Sequence, residues 1–197
     1  MLVGILDYKS CSILPIYHSF KSQNAKVEII DDPKNLKKLD VLVLPGVGAT
    51  NKIMEYLTIN NFIDEIRNYA EKKKKILGIC AGMQIMAKKL SENNFCDGLD
   101  FFNSEVVPFD NNTSSKSTNI GWRNVNIQNS IKSYYFCHSY FMSFKNFKED
   151  DVIGTIDLKI KIPVIVKKNN VLGIQFHPEK SQSNGRKLIY DFLNDKF

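Results

Sequence analysis

The chain has 197 residues, the length of one globular domain with room for a sizeable core. Hydrophobic residues at 43% and charged residues at 24% match the globular average and exclude a disordered chain. Lys and Arg number 27 against 21 Asp and Glu, a net charge of +6 that is too mild to mark a nucleic-acid or membrane binder.

No apolar run approaches the roughly 20 residues of a bilayer crossing. The opening Met1-Leu2-Val3-Gly4-Ile5-Leu6-Asp7 lacks the basic and long apolar regions of a signal peptide. The expectation is a soluble, cytoplasmic protein with neither membrane nor nucleic acid as partner. Cys11, Cys80, Cys96 and Cys137 are scattered, without metal-ligand spacing, and His18, His138 and His177 are dispersed, so neither a disulfide scaffold nor a metal or cofactor is expected.

Aliphatic runs alternate with helix-spaced segments through the first half. Leu2 to Leu6 reads as a buried strand, and a helix starts near Ser12 with Pro15 in its first turn. Val27 to Ile30 and Val41 to Leu44 are strand-like. Between Ile53 and Glu71, the residues Ile53, Leu57, Phe62, Ile66 and Tyr69 recur at helical spacing. The tetralysine Lys72 to Lys75 complements the end of that helix and lacks the arginine and aromatic interleaving of a nucleic-acid surface. Ile76 to Ile79 is the next strand, and Met83 to Ala87 begins the next helix. This alternation predicts a parallel sheet covered on both faces.

From about Phe101 to Gln175 the chain turns rich in Asn, Ser and β-branched residues. Strands near Glu105 to Phe109, Tyr134 to Cys137, Val152 to Ile156, Val164 to Lys167 and Val171 to Phe176 read as antiparallel or mixed, and a helix over about Asn184 to Asn194 closes the chain. No repeat or linker intervenes, so one α/β domain spanning 1–197 is expected.

Gly78-Ile79-Cys80-Ala81-Gly82 lies between a strand and a helix. A nucleophile elbow has this form: the reactive residue sits on a strained turn above the sheet, with small residues two positions away where backbones close in. The start of a helix would also favour thiolate. His177-Pro178-Glu179 follows a strand and supplies a base with a carboxylate to orient it, since residues two apart in extended chain face the same way. Parallel sheets build sites at strand carboxyl ends, where Cys80 and His177 both fall. Pro45-Gly46-Val47-Gly48 after the third strand can aim backbone N–H groups at an oxyanion. Cys11, Cys96 and Cys137 have no such setting and read as packing residues.

These three pieces, in this order, resemble the class I (triad-type) glutamine amidotransferases, and more narrowly the glutaminase subunits of imidazole glycerol phosphate synthase. The match is carried by Asp7-Tyr8, Leu44 to Ala49, Gly78 to Gln84, Gly121-Trp122, Tyr135 to Tyr140 and Gly173 to Ser181, almost the whole chain. The resemblance implies a flavodoxin-like three-layer fold, with a central mostly parallel sheet and extra antiparallel strands in the C-terminal half. It implies that Cys80 attacks the amide of L-glutamine to form a thioester, with His177 moving the proton and Glu179 holding its ring. The backbone of Gly46, Val47, Gly48 and Ala81 would bind the oxyanion, and Gln84, Glu92, Ser139 and Tyr140 the amino-acid end of glutamine. It also implies a (β/α)₈-barrel cyclase subunit as heterodimer partner, receiving ammonia in histidine biosynthesis. His138 falls in a segment the family places at that boundary.

The chain departs from the family pattern at Lys9-Ser10-Cys11-Ser12, where a glycine turn and asparagine are usual, and at Thr50, Ala81 and Arg123, where phenylalanine, leucine and asparagine are usual. Because these lie around the site mouth and docking face, a paralogue feeding ammonia to amidination of a surface-polysaccharide or flagellin sugar is the alternative. A stand-alone cysteine hydrolase and a non-catalytic scaffold subunit fit less well: Gln84 and Glu92 oppose the first, the intact Cys80, His177 and Glu179 the second.

Overall fold

A computed structural model describes residues 1–9, 13–93, 95–128, 130–144 and 147–196. In chain order the elements are β1 (Leu2–Leu6), α1 (Leu14–Lys21), β2 (Lys26–Ile30), β3 (Val41–Leu44), α2 (Thr50–Ile59), α3 (Phe62–Glu71), β4 (Lys75–Ile79), α4 (Ala81–Gln84) and β5 (Ala87–Leu90). They continue with β6 (Cys96–Asp97), β7 (Phe102–Pro108), β8 (Asn119–Ile127), β9 (Ser130–His138), β10 (Tyr140–Met142), β11 (Val152–Asp157), β12 (Lys161–Lys168), β13 (Val171–Ile174) and α5 (Gln182–Leu193). Short 3₁₀ turns occupy Pro33–Lys38, Glu149–Asp151 and Pro178–Lys180.

The main sheet runs β2-β1-β3-β4-β13-β12-β11-β8-β9. Its first five strands are parallel, in the 2-1-3-4-5 order of flavodoxin-like doubly wound folds. The pairings from β13 outward are antiparallel, so the sheet is mixed, with its antiparallel strands drawn from the C-terminal half. Side chains along the parallel strands alternate between two cores. Val3, Ile5, Val41, Val43, Leu77 and Ile79 meet Ile16 and Phe20 of α1 and Leu188 and Ile189 of α5. Leu42, Leu44 and Ile76 meet Ile53 and Leu57 of α2 and Phe62 and Ile66 of α3. A second sheet, β10-β7-β5-β6, extends this latter core through Phe102, Val106 and Met142.

Three expectations from the sequence are corrected. The helical spacing from Ile53 to Glu71 is two helices, broken where Asn61 takes φ +59°. The helix expected to begin at Met83 is instead α4, which ends at Gln84, because Ile85 and Met86 turn their carbonyls to Leu99 and Phe101 N–H at 2.7 and 2.9 Å and lead into β5. Tertiary pairing overrides local helical preference there. The strands β5, β6, β8 and β10 have no counterpart in the sequence reading; β8 escapes it because an exposed face carries Ile120 and Trp122 among polar residues. The expected helix start at Ser12 and the Ser10-Cys11-Ser12 departure lie outside the described residues. Two lysines of the tetralysine serve other elements than the helix it follows: Lys74 Nζ donates to Lys37 and Leu39 O, and Lys75 Nζ to Phe192 and Leu193 O at the end of α5.

The carboxyl ends of β3, β4 and β13 come together with no spare volume. A Cβ on Gly46 would lie 1.7 Å from Ile79 O and 2.8 Å from Ala81 N, and one on Gly82 would lie 2.0 Å from Leu44 O. In both cases the obstacle is backbone, which cannot swing aside. Gly46→Ala is therefore expected to cost about 3–5 kcal/mol and to lower the thermal midpoint by about 10 °C. Val47→Ala next to it, with an exposed side chain, should stay within about 0.5 kcal/mol of the parent; thermal and urea denaturation of both variants measure the contrast.

Candidate active site

Cys80 follows the last residue of β4 at φ +51° and ψ −110°. Such backbone costs a side-chain-bearing residue about 1–3 kcal/mol and persists only where its surroundings enforce it. The Cys80 N–H donates to Ile174 O of β13 at 2.7 Å, and the Cys80 carbonyl accepts from Gln84 N at 3.0 Å. The elbow expected from Gly78 to Gly82 is present. Its helix is a single turn, however, too short to sum a dipole of consequence, so charge at the sulfur depends on nearby side chains.

Three groups act on the Cys80 thiol. Gln175 Nε2 donates to Sγ at 3.6 Å and Sγ donates to Cys137 O at 3.7 Å, while the His177 ring is near enough for the sulfur to raise its affinity for a proton. On the ring's far side, His177 Nδ1 lies 2.8 Å from Glu179 Oε1, with both side chains 4% exposed. Burial pushes the imidazole down, but hydrogen bonds and charge from Cys80 and Glu179 outweigh it and raise His177 to about 10. A ring raised in this way holds a proton readily once it has taken one up. Extended alternation is not what aligns Glu179, as the sequence suggested: a 3₁₀ turn over Pro178–Lys180 brings it under the ring. Ser181 locks that turn, donating from Oγ to His177 O at 2.6 Å and accepting from Tyr135 N at 3.0 Å.

The thiol opens on a pocket of about 280 Å³. Gly46, Val47, Gly48, Cys80, Ala81, Gln84, Glu92, Ser139, Tyr140 and His177 all line it. Every site residue expected from the sequence thus faces one cavity except Glu179, which stands behind His177. Ala81 N–H is the first of α4 and has no acceptor within the helix, and Gly48 takes φ +134°, which favours glycine. Gln84 Nε2 donates to Tyr140 O at 2.7 Å and to Gln175 Oε1 at 3.1 Å, so both its amide hydrogens are committed and Oε1 is the atom left for a ligand. Glu92 Oε2 accepts from Thr50 N at 2.7 Å and Thr50 Oγ1 at 2.9 Å at the start of α2, leaving Oε1 for a cation. A larger hollow of about 510 Å³ lies at the opposite ends of β4 and β13, where Arg67 and Lys168 donate to backbone carbonyls.

Sequence reasoning missed Gln175, Thr50, Ser181 and Asn119. Thr50 stood out only as a departure, and Gln175 only as part of a motif. Cys137, expected to pack, is exposed at the pocket mouth, and Cys96 is half-buried. His138 is buried: Nδ1 donates to Tyr140 O at 2.7 Å, and Nε2 accepts from Asn119 Nδ2 at 3.0 Å. Burial lowers His138 to about 4, against a backbone hydrogen bond that raises it. A histidine depressed in the fold contributes stability that is present above its unfolded value and is lost as pH falls toward the folded one. His177, raised, loses its contribution only in the alkaline direction. Between pH 7 and pH 5 the parent is therefore expected to lose about 2 kcal/mol more stability than His138→Gln, as read from urea unfolding at the two pH values.

The family model for glutamine amidotransferase class-I matches residues 5–196. The imidazole glycerol phosphate synthase subunit HisH 1 of Campylobacter jejuni (strain RM1221) is 32% identical, covering 98% of this chain and 99% of that protein. The subunit HisH of Lactococcus lactis is 35% identical over 98% of each. Among solved structures, a glutamine amidotransferase superposes with a TM-score of 0.78 at 20% identity over 98% of this chain and 97% of that one. The structure of PurLQS from Thermotoga maritima gives 0.77 at 17% identity over 98% of each. Among the described residues no helix is long and apolar enough to cross a membrane. Full-length similarity at a third identity, on a fold shared with known amidotransferases, places the chain in the class-I glutamine amidotransferase family, among the HisH subunits of imidazole glycerol phosphate synthase.

Proposed function

We propose that residues 1–197 form one amidotransferase domain that hydrolyses L-glutamine and passes the ammonia to a (β/α)₈-barrel cyclase subunit in a cytoplasmic heterodimer serving histidine biosynthesis. The observation that carries the reading is the strained Cys80 with His177 and Glu179 behind it, opening on the pocket that Gln84 and Glu92 line. Glutamine enters with its α-amino group toward Glu92 Oε1 and Gln84 Oε1, and with Ser139 and Tyr140 beside its carboxylate. Cys80 gives its proton to His177 and Sγ attacks the side-chain amide carbon. The resulting oxyanion lies against backbone N–H groups of Ala81 and the Gly46-Val47-Gly48 turn. As the C–N bond breaks, the His177 imidazolium protonates the departing nitrogen, releasing ammonia and leaving a γ-glutamyl thioester. Water, deprotonated by His177, then attacks the thioester, giving glutamate and restoring the thiol.

Support for a docked partner comes from exposed apolar groups beside the pocket mouth. Ile120 and Trp122 of β8 are 54% and 43% exposed and pair in register with Cys137 and Tyr135 of β9. Large exposed apolar side chains grouped on one sheet face mark an interaction surface. Ammonia released at that mouth needs a covered route, because free in neutral water it becomes ammonium and loses its nucleophilicity.

Cys80→Ala is expected to abolish glutaminase activity with the fold intact, as read by glutamate release and thermal denaturation. Parent-level turnover in that variant would remove Cys80 from the reaction. Glu92→Gln should raise KM for glutamine roughly 10- to 100-fold, the loss of one charge-assisted hydrogen bond. Turnover should rise when the cognate cyclase subunit is added; recovery of an ATP-dependent sugar-amidating enzyme from the host in its place would redirect the ammonia.

A further inference from the structure

We infer that Gln175 is a positioning residue that couples the nucleophile to the glutamine pocket, its amide holding the Cys80 thiolate at one end and the Gln84 side chain at the other. The inference rests on the glutaminase reading and assigns it a residue beyond the nucleophile, base and orienting carboxylate.

The geometry is set by sheet register. Ile79 of β4 and Ile174 of β13 are partners, so the next residues of the two strands, Cys80 and Gln175, are brought side by side. Gln175 is fully buried, and its own backbone is fixed by an N–H donated to Val164 O at 2.9 Å. A glutamine amide in such a place must satisfy both ends or lose stability. Its Nε2 does so on Cys80 Sγ at 3.6 Å, and its Oε1 on Gln84 Nε2 at 3.1 Å. The order is enforced from outside: Gln84 Nε2 also donates to Tyr140 O, which fixes nitrogen toward Gln175 and so turns the Gln175 nitrogen toward the sulfur.

The two uncharged contacts of Cys80 oppose each other. Cys137 O accepts only from a protonated thiol, whereas Gln175 Nε2–H is retained, and strengthens, when the sulfur is anionic. Loss of the proton to His177 therefore moves the sulfur's hydrogen bonding from Cys137 toward Gln175. The other titratable and charged groups around the thiol are His177, Glu179 and Lys180 beyond β13, Cys137, His138 and Tyr140 from β9 and β10, and Glu92 after β5. The Gly46 to Gly48 turn brings none. His138 is neutral and points its proton away to Tyr140 O.

The test is alkylation of Cys80 by iodoacetamide in the intact protein, from about pH 5 to about pH 10, comparing the parent with Gln175→Met and Gln175→Asn. Methionine keeps the length and removes donor and acceptor; asparagine keeps polarity for Gln84 but withdraws the N–H from the sulfur. Both variants should react roughly tenfold more slowly near neutral pH and converge on the parent rate at the alkaline end. In complex with the cyclase subunit, Gln175→Met should also raise KM for glutamine several-fold, and Gln175→Asn less. Curves that overlay the parent, or that fall by one factor at every pH, reduce Gln175 to a packing role and overturn the inference, and Gln175→Asn decides the matter if the methionine variant does not fold. A parent protein that hydrolyses no glutamine with its partner would sink the glutaminase reading instead, while the alkylation curves still report on the contact.

Discussion

The site depends on strand register. In the parallel half of the sheet, Leu44 pairs with Gly78 and Ile79 with Ile174, so β3, β4 and β13 end almost level. Chain leaving such a row can only go upward or over the edge, and here all three exits are used within a few residues: the Gly46 to Gly48 turn, the Cys80 elbow, and the Gln175 to Glu179 run. The fit is tight enough that Gly46 and Gly82 lie against neighbouring backbone with no room for a methyl group. Cys80 can keep its unfavourable backbone because the hydrogen bond from its N–H to Ile174 O and the packing of Gly46 on Ile79 leave it no other path. A one-residue slip of any of the three strands would turn its side chains to the opposite face and scatter Cys80, His177 and the Gly46 to Gly48 turn.

The remaining wall of the pocket comes from the antiparallel half, which has to return across the molecule to supply it. Although β9 is the far edge of the sheet, its Tyr135 accepts from His177 N at 2.9 Å, and its N–H reaches Ser181. Tyr134 stacks on Phe176 at 3.9 Å between ring centroids, and Phe136 meets the same ring edge-on at 5.6 Å. Phe176 sits between Gln175 and His177 and points into the core, so its aromatic contacts anchor the two polar residues that flank it. This closure carries His138, Ser139 and Tyr140 to the rim of a site whose reactive atoms belong to the other half of the chain.

What could be read from the sequence follows from what is local. The parallel strands β1, β3, β4 and β13 are short aliphatic runs buried on both faces, and they stand out against their surroundings, as do the elbow and the His177-Pro178-Glu179 run. The α4–β5 boundary is not local: Met83 to Ala87 has a helical composition, and only pairing with Leu99 to Phe102, distant in sequence, turns it into a strand entry. Nor is the role of Thr50, whose partner Glu92 lies 42 positions away. Gln175 was within reach, since matching the starts of the two predicted strands, Ile76 and Val171, sets it beside Cys80, but polar residues in strand exits are common and register is not visible until the partners are known.

The protonation state of His138 shows how one certain piece of chemistry can propagate into a pocket. Arginine has only donors, so Arg123 Nε, 2.9 Å from the Asn119 side chain, requires Oδ1 there and turns Nδ2 the other way. Asn119 Nδ2 then aims N–H at His138 Nε2, which can accept only if it carries no proton. The proton must be on Nδ1, where Tyr140 O receives it. The same carbonyl also receives a Gln84 Nε2 hydrogen, so one backbone oxygen joins the surface arginine, through a neutral histidine, to a side-chain amide that lines the pocket. An imidazolium at His138 would set a second N–H against the Asn119 amide hydrogens, and the amide could turn its oxygen inward only by presenting its nitrogen to Arg123. Burial and network geometry therefore act in the same direction, and Arg123 fixes the tautomer of a histidine that lines the pocket without touching it.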